Sequence, residues 1–247
     1  MDIKLNENER IDDLEWKNLK IIQNTEGFCF GMDSVLISDF AKDIKKDSKV
    51  ADFGTGTGII SILLSQKINP KKIFGIEIQK DVAEMAKRSV KLNGLDSVID
   101  ILNVDIKNLN KYFEKNSFDA IVSNPPYKKV STGLINDNEK KVISRHEVKC
   151  SLRDIVSNAF DLLKDRGELY MVHRPERLVD IITTFRENKV EPKVIRFVYP
   201  YADKKPNLVL IKGIKNAKES IIIKEPLIVY NKNGEYSEEI LKIYHKI

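Results

Sequence analysis

The 247-residue chain is poor in the residues that carry most covalent and metal chemistry. Its two cysteines, Cys29 and Cys150, stand in no paired spacing, so neither a disulfide nor a thiolate metal site is expected. The three histidines, His146, His173 and His245, form no ligand pattern either, and no metal is expected. No apolar run approaches the roughly 20 residues that a membrane span needs. The opening stretch MDIKLNENERIDDLEW is acidic and polar, unlike a targeting segment. These absences argue for a cytoplasmic protein away from membranes. Internal repeats, low-complexity tracts and an obvious linker are lacking as well.

What is present is enough for a full core. Hydrophobic residues make up 42% of the chain and charged residues 32%, with a mean hydropathy of −0.32. The net charge of +5 is unevenly spread. Residues 1–48 carry 7 basic and 11 acidic side chains, whereas residues 124–215 carry 19 and 12. A basic half attracts an anionic partner such as nucleic acid, although a solvated lysine-rich surface gives the same count.

Apolar runs alternate with amphipathic ones. Strands are expected at 49–53, 72–77, 98–103, 118–123 and 168–173, with helices at 59–67, 80–92, 151–164 and from Pro175 to about 188. Asn93-Gly94 is a helix stop, and Arg166-Gly167 a turn. Two more strands, near 193–198 and 207–214, are joined by a loop, which allows an antiparallel pair at one edge. The pattern predicts an α/β fold, a doubly wound Rossmann-like sheet of seven strands with one antiparallel edge strand. Residues 49–214 form the core, residues 1–48 an extension closing over the cofactor site, and residues 215–247 a β-rich tail.

The stretch ADFGTGTG, residues 51–58, follows the first core strand and opens a helix. Gly54, Gly56 and Gly58 allow a tight turn and close approach to a ligand. Ile59 stands where a dinucleotide fingerprint wants a small residue, and the Gly-Lys-Ser/Thr of a phosphate loop is absent. Asp52 precedes the loop, Glu77 ends the second strand and Asp105 follows the third, with Ile78 and Ile106 beside them. Each acid alone reads equally well as a cap or a solvated charge. Three on successive strand ends suit a nucleoside whose ribose hydroxyls and adenine amine need acceptors, with no phosphate to bind. S-adenosylmethionine meets that description.

The fourth strand runs into Ser123-Asn124-Pro125-Pro126-Tyr127-Lys128-Lys129. Two prolines stiffen the backbone at a strand end where α/β sheets bind ligands. A nitrogen conjugated to a π-system is a poor nucleophile, and it attacks a methyl sulfonium more readily when acceptors hold its protons. The Asn124 side-chain carbonyl and the Pro125 backbone carbonyl can be those acceptors, preorganised by the prolines. Tyr127 can stack on a planar substrate. A rigid proline turn without chemistry is the bland alternative.

DFGTGTG, GIEIQ, NVD and SNPPY together resemble the class I methyltransferases that act on planar amino or amide nitrogens. FCFGMDSVLISDFA (28–41), SRHE (144–147), VHRPERL (172–178) and PLIVYNKNGEYSEEILKIY (226–244) resemble, more narrowly, the bacterial tRNA adenine-N6 methyltransferases of anticodon-loop adenine 37 in valine tRNA. The resemblance spans nearly the whole chain. It implies tRNA as partner, with Asn124, Pro125 and Tyr127 catalytic and Lys128, Lys129, Arg145 and His146 toward the RNA, although Arg145 and His146 read equally well as members of a surface salt bridge. It also implies that Phe28 to Asp33 fold over the cofactor, while Val35, Leu36 and Phe40 read as the packed face of a helix. Arg174 and Arg177 read as structural, and a monomer is expected. Glutamine-N5 methylation of release factors and rRNA methylation use the same acceptor chemistry. The former enzymes resemble this core but carry a sizeable helical domain before it.

Overall fold

Residues 4–27, 29–127 and 150–247 are described in the computed structural model. Two strands, β1 (Glu9–Asp13) and β2 (Lys20–Asn24), pair antiparallel as a separate hairpin, and α1 (Met32–Phe40) follows. Then come β3 (Lys49–Phe53), α2 (Ile59–Ile68), β4 (Lys72–Glu77), α3 (Lys80–Leu92), β5 (Ile99–Asn103) and a 3₁₀ turn at Ile106–Lys111. β6 (Phe118–Ser123) precedes the Asn-Pro-Pro-Tyr turn. After it follow α4 (Leu152–Leu162), β7 (Leu163–His173), α5 (Leu178–Glu187), β8 (Val190–Tyr199) and β9 (Leu208–Lys215). The tail forms β10 (Ile222–Ile223), β11 (Leu227–Ile228) and α6 (Glu238–Ile243).

The main sheet runs β10-β8-β9-β7-β6-β3-β4-β5, with β11 also on β8. From β7 to β5 all neighbours are parallel. The expected α/β sheet is present, with two differences. Among the described residues it has nine strands, because β10 and β11 add two-residue pairings to β8. Strand β9, antiparallel to both neighbours, lies between β7 and β8 and not at the edge. A hairpin return from β8 slots into the gap beside β7, which sequence spacing alone does not specify.

Each face of the sheet buries its own cluster. Val50, Ile73, Ile99 and Val122 meet Leu36, Ile60, Leu64 and Ala86 of α1, α2 and α3. Ala51, Ile76, Ile121 and Leu169 meet Val156, Ala159, Ile181 and Phe185 of α4 and α5. Adjacent strand residues point to opposite faces, so each of the strands β3 to β9 feeds both layers. α2 is apolar nearly all round because α1 covers its outer side. α4 starts on a capping box, with Ser151 and Asp154 each bonding the other's backbone. The expected turn at Arg166-Gly167 survives inside β7 as a register shift against β6, with Arg166 at φ +63°.

The N-terminal hairpin packs on α3. Ile22 N–H donates to Ser89 Oγ at 3.0 Å, and Lys20 N–H donates to Asn93 Oδ1 at 2.8 Å. Arg88 grips Glu9 with two bonds of 2.6 Å, which hold the Glu9 carboxyl down to about 2. Trp16, in the hairpin loop, stacks on His245 with ring centroids 4.1 Å apart, and Lys246 pairs with Glu15. Tyr201, between β8 and β9, and Tyr230, Tyr236 and Tyr244 of the tail stand in a row with 5.4–5.8 Å between successive rings.

Candidate functional site

Strand order reverses at β3, whose neighbours are β4 and β6. The carboxyl ends of these strands therefore flank the crevice where open α/β sheets bind ligands. Register brings the predicted residues to that edge: Phe53 pairs with Ile76 and Ser123, and Glu77 with Asn103. Ser123 Oγ donates to the Phe53 carbonyl at 3.0 Å, clipping the end of β6 to the end of β3.

The glycine loop is built by its own backbone. Gly54 and Thr55 N–H both donate to the Ile76 carbonyl, at 2.9 and 3.0 Å. Gly54, Gly56 and Gly58 take φ of +74°, +57° and +91°, the left-handed region that glycine enters without a Cβ penalty. A Cβ at Gly54 or Gly56 would meet nothing within 4 Å, so the loop opens onto free space. One at Gly58 would touch Ala86 Cβ at 3.5 Å, which keeps α2 close to α3.

Asp52 is fully buried beneath the loop. Its Oδ2 accepts from Thr55 Oγ1 at 2.6 Å and Ser61 Oγ at 2.8 Å, while its Oδ1 is buried with no partner. Burial pushes this carboxyl up to about 6 against the pull of the two hydroxyls. Glu77 Oε2 accepts from Gly56 N–H at 3.1 Å and Oε1 from Gln79 N–H at 2.9 Å. Asn103 Nδ2 donates to the Glu77 and Ile78 carbonyls at 2.9 and 3.0 Å, joining the ends of β4 and β5. Asp105 caps the 3₁₀ turn, accepting from Lys107 N–H at 2.9 Å. Ile78 is exposed at the rim, and Ile106 packs partly on the core.

An orphaned buried acceptor, two open glycines and carboxylates on successive strand ends fit S-adenosylmethionine. Asp52, the loop glycines, Glu77 and Asp105 are the residues that would hold it. Among the described residues no cluster of histidine, cysteine, aspartate and glutamate could hold a metal. A surface depression lined by Arg186, Lys189, Glu191 and Glu219 lies by the start of β8, at the opposite end of the sheet.

The acceptor side is made of side chains. The Tyr127 hydroxyl lies 2.8 Å from Asn124 Oδ1 and 2.5 Å from Asp33 Oδ2. Asn124 Nδ2 lies 3.3 Å from Ser34 Oγ. Burial and the Asp33 charge raise the Tyr127 pKa above that of a free phenol, so its proton stays on. The Tyr127 ring sits 5.3 Å from the His173 ring, and the Arg174 guanidinium lies 5.0 Å over it. His173, buried, is pulled down to about 4 and is neutral at pH 7. Pro125 is buried and Pro126 exposed.

The structure thus gathers Asp52, the loop glycines, Glu77, Asp105, Asn124 and Tyr127 along one sheet edge. Phe28, Lys128, Lys129, Arg145 and His146 lie outside the described residues. Asp33, Ser34 and His173 also reach the site without having been singled out individually, and Arg174, read as structural, covers Tyr127. Asp33 belongs to the segment expected to fold over the cofactor, but its partner 94 positions away is invisible to local patterning.

Residues 31–186 match the family described as "Methyltransferase small domain". The chain belongs to that family. A Porphyromonas gingivalis protein named tRNA1(Val) (adenine(37)-N6)-methyltransferase is 27% identical, across 94% of this chain and 93% of its own length. An Agrobacterium tumefaciens protein described as a predicted O-methyltransferase superposes with a TM-score of 0.69 at 18% identity, covering 87% of this chain and 96% of that one. TYW2 of M. jannaschii, solved in complex with AdoMet, has a TM-score of 0.58 at 14% identity, covering 86% and 88%. These solved structures share this chain's fold. No helix among the described residues is long and apolar enough to cross a membrane.

Proposed function

We propose that the protein transfers a methyl group from S-adenosylmethionine to the exocyclic N6 of an adenine in tRNA, at anticodon-loop position 37 of valine tRNA. The observation that carries this most is the Asn-Pro-Pro-Tyr turn leaving β6 at the strand-order reversal, next to the glycine loop of β3. The name and nearly full-length match of the P. gingivalis relative support tRNA as substrate.

The bound cofactor supplies the methyl group as an electrophilic sulfonium. Glu77 and Asp105 offer acceptors to its nucleoside, and the loop glycines admit its chain. Asn124 and the Pro125 carbonyl hold the N–H protons of the adenine amine, so nitrogen lone-pair density is freed in a preorganised setting. No strong base is required. Tyr127 remains a neutral phenol and His173 a neutral imidazole, which agrees with that division of labour. A base in a single-stranded loop enters such a pocket at less unstacking cost than a paired one. Residues 1–48 close over this core, residues 215–247 pack against it, and the monomer works in the cytoplasm. Lys128, Lys129, Arg145 and His146 face the RNA.

Labelled methyl transfer to total tRNA, total rRNA, DNA and peptide release factor, run in parallel, tests the reading. Label is expected in tRNA, with binding that weakens steeply as salt rises. Label in release factor and none in tRNA would overturn it.

A further inference from the structure

Asp33 has no part in the chemistry above, yet it closes a ring of polar contacts at the acceptor side. It sits in the first turn of α1, where its Oδ1 accepts from Ser34 N–H at 3.0 Å. Its Oδ2 meets the Tyr127 hydroxyl, the same hydroxyl that faces the Asn124 amide. The other end of that amide faces Ser34 Oγ, next along α1 from Asp33. Four side chains from two segments 90 and 94 positions apart thus form one circuit.

The circuit has a proton count. A phenol has one proton, and an ionised carboxylate only accepts. With that proton given to Asp33, the Asn124 atom facing Tyr127 must be a donor. The oxygen and nitrogen of an amide have nearly the same shape, so the side chain can sit either way round. Turned so that Nδ2 donates to the Tyr127 oxygen, Asn124 presents Oδ1 to Ser34, whose hydroxyl donates to it. Each contact in the ring then pairs one donor with one acceptor. The opposite orientation leaves Asn124 Oδ1 against a phenol oxygen whose proton is already committed.

We infer that Asp33 is a positioning residue: through the Tyr127 hydroxyl, its carboxylate fixes which way the Asn124 amide faces, and so where the acceptor for the substrate amine is aimed. This rests on the reading that Asn124 holds that amine. A carboxylate that merely caps α1 would have no reason to act through Tyr127.

The test is a cycle of Asp33→Ala, Tyr127→Phe and the double variant, with kcat and KM for tRNA measured separately. Each single change removes one charge-assisted hydrogen bond and is expected to lower kcat about tenfold, with KM for tRNA little moved. The double variant is expected to fall about tenfold as well, because both changes cut the same link. A roughly hundredfold loss, the product of the two singles, would mean that Asp33 acts independently and overturn the inference. If Asp33→Ala does not fold, Asp33→Asn keeps an acceptor for Ser34 N–H and is run through the same cycle with the same criterion. The side-chain amide resonance of Asn124, identified by its loss in Asn124→Ala, needs no substrate. It should shift in both single variants, and an unmoved resonance in both would also overturn the inference. A wild-type protein that labels no tRNA would sink the proposed function, while this resonance would still judge the role of Asp33.

Discussion

The glycine loop and the Asn-Pro-Pro-Tyr turn leave adjacent strands, β3 and β6, but they are held by different kinds of contact. Around the loop, Asp52 is bonded by Thr55 and Ser61, and Glu77 by Gly56, over separations of 3, 9 and 21 positions. Around the turn, Asn124 and Tyr127 lean on Ser34 and Asp33, over separations of 90 and 94. The cofactor side is therefore complete once β3, α2, β4 and β5 have formed. The acceptor side is complete only after α1 has docked, so it depends on a segment outside the methyl-donor half.

Three experiments break or sharpen that contrast. The largest effect is expected from Asn124→Ala, which removes a preorganised group at the reacting centre. Turnover should fall roughly 10²–10³-fold, as for the loss of one oxyanion-hole donor, with cofactor affinity unchanged by calorimetry. Near-normal methyl transfer would make the proline turn structural and leave the acceptor side unassigned.

The next concerns Asp52. Its carboxyl is pushed up to about 6 in the folded protein from an ordinary 3.8, so between these values the native state binds the extra proton. Stability attributable to Asp52 is full below the unfolded pKa and is lost as pH rises through the folded one. The loss amounts to roughly 3 kcal/mol at about 1.4 kcal/mol per pH unit. Asp52→Asn should remove that contribution, so urea midpoints of variant and wild type should diverge in slope between pH 4 and pH 7. Parallel profiles would show that Asp52 titrates normally and that the floor of the loop is wetter than its burial implies.

The smallest effect is expected from Glu77→Ala. Hydrogen bonds to a charged group contribute about 1.5–3 kcal/mol, so cofactor binding should weaken by no more than that, and tRNA affinity should hold. Unaltered cofactor affinity would remove Glu77 from the cofactor side.

The same contrast explains what could be read from the chain alone. β3, β4 and β6 coincide with their apolar runs, and the helix stop at Asn93-Gly94 holds, with Gly94 at φ +65°. These are local signals: turn glycines, capping residues and buried parallel strands write themselves into a few neighbouring positions. β1, with the sequence ERIDD, was not legible because it has one apolar residue and no alternation. The interior place of β9 was hidden because strand order is decided by packing on β7. α6 was hidden because its six residues form a single short turn-and-a-half, supported by burial of Ile240 and Ile243. The Asp33–Tyr127 contact joins two polar residues whose spacing carries no period.

The clasp formed by Trp16 with His245 and by Glu15 with Lys246 has a kinetic consequence. Glu15 and Lys246 are 231 positions apart, so the contact encloses almost the entire chain. Closing so long a loop through separately folding segments rewards the chain only after the elements between are in place, which makes it one of the last contacts to form. Its surface position and polar partners put it among the first to open by local fluctuation, ahead of the buried strands. Trp16 is the chain's one tryptophan and also packs against the core, so its fluorescence reports the docking of the hairpin loop together with this final latch.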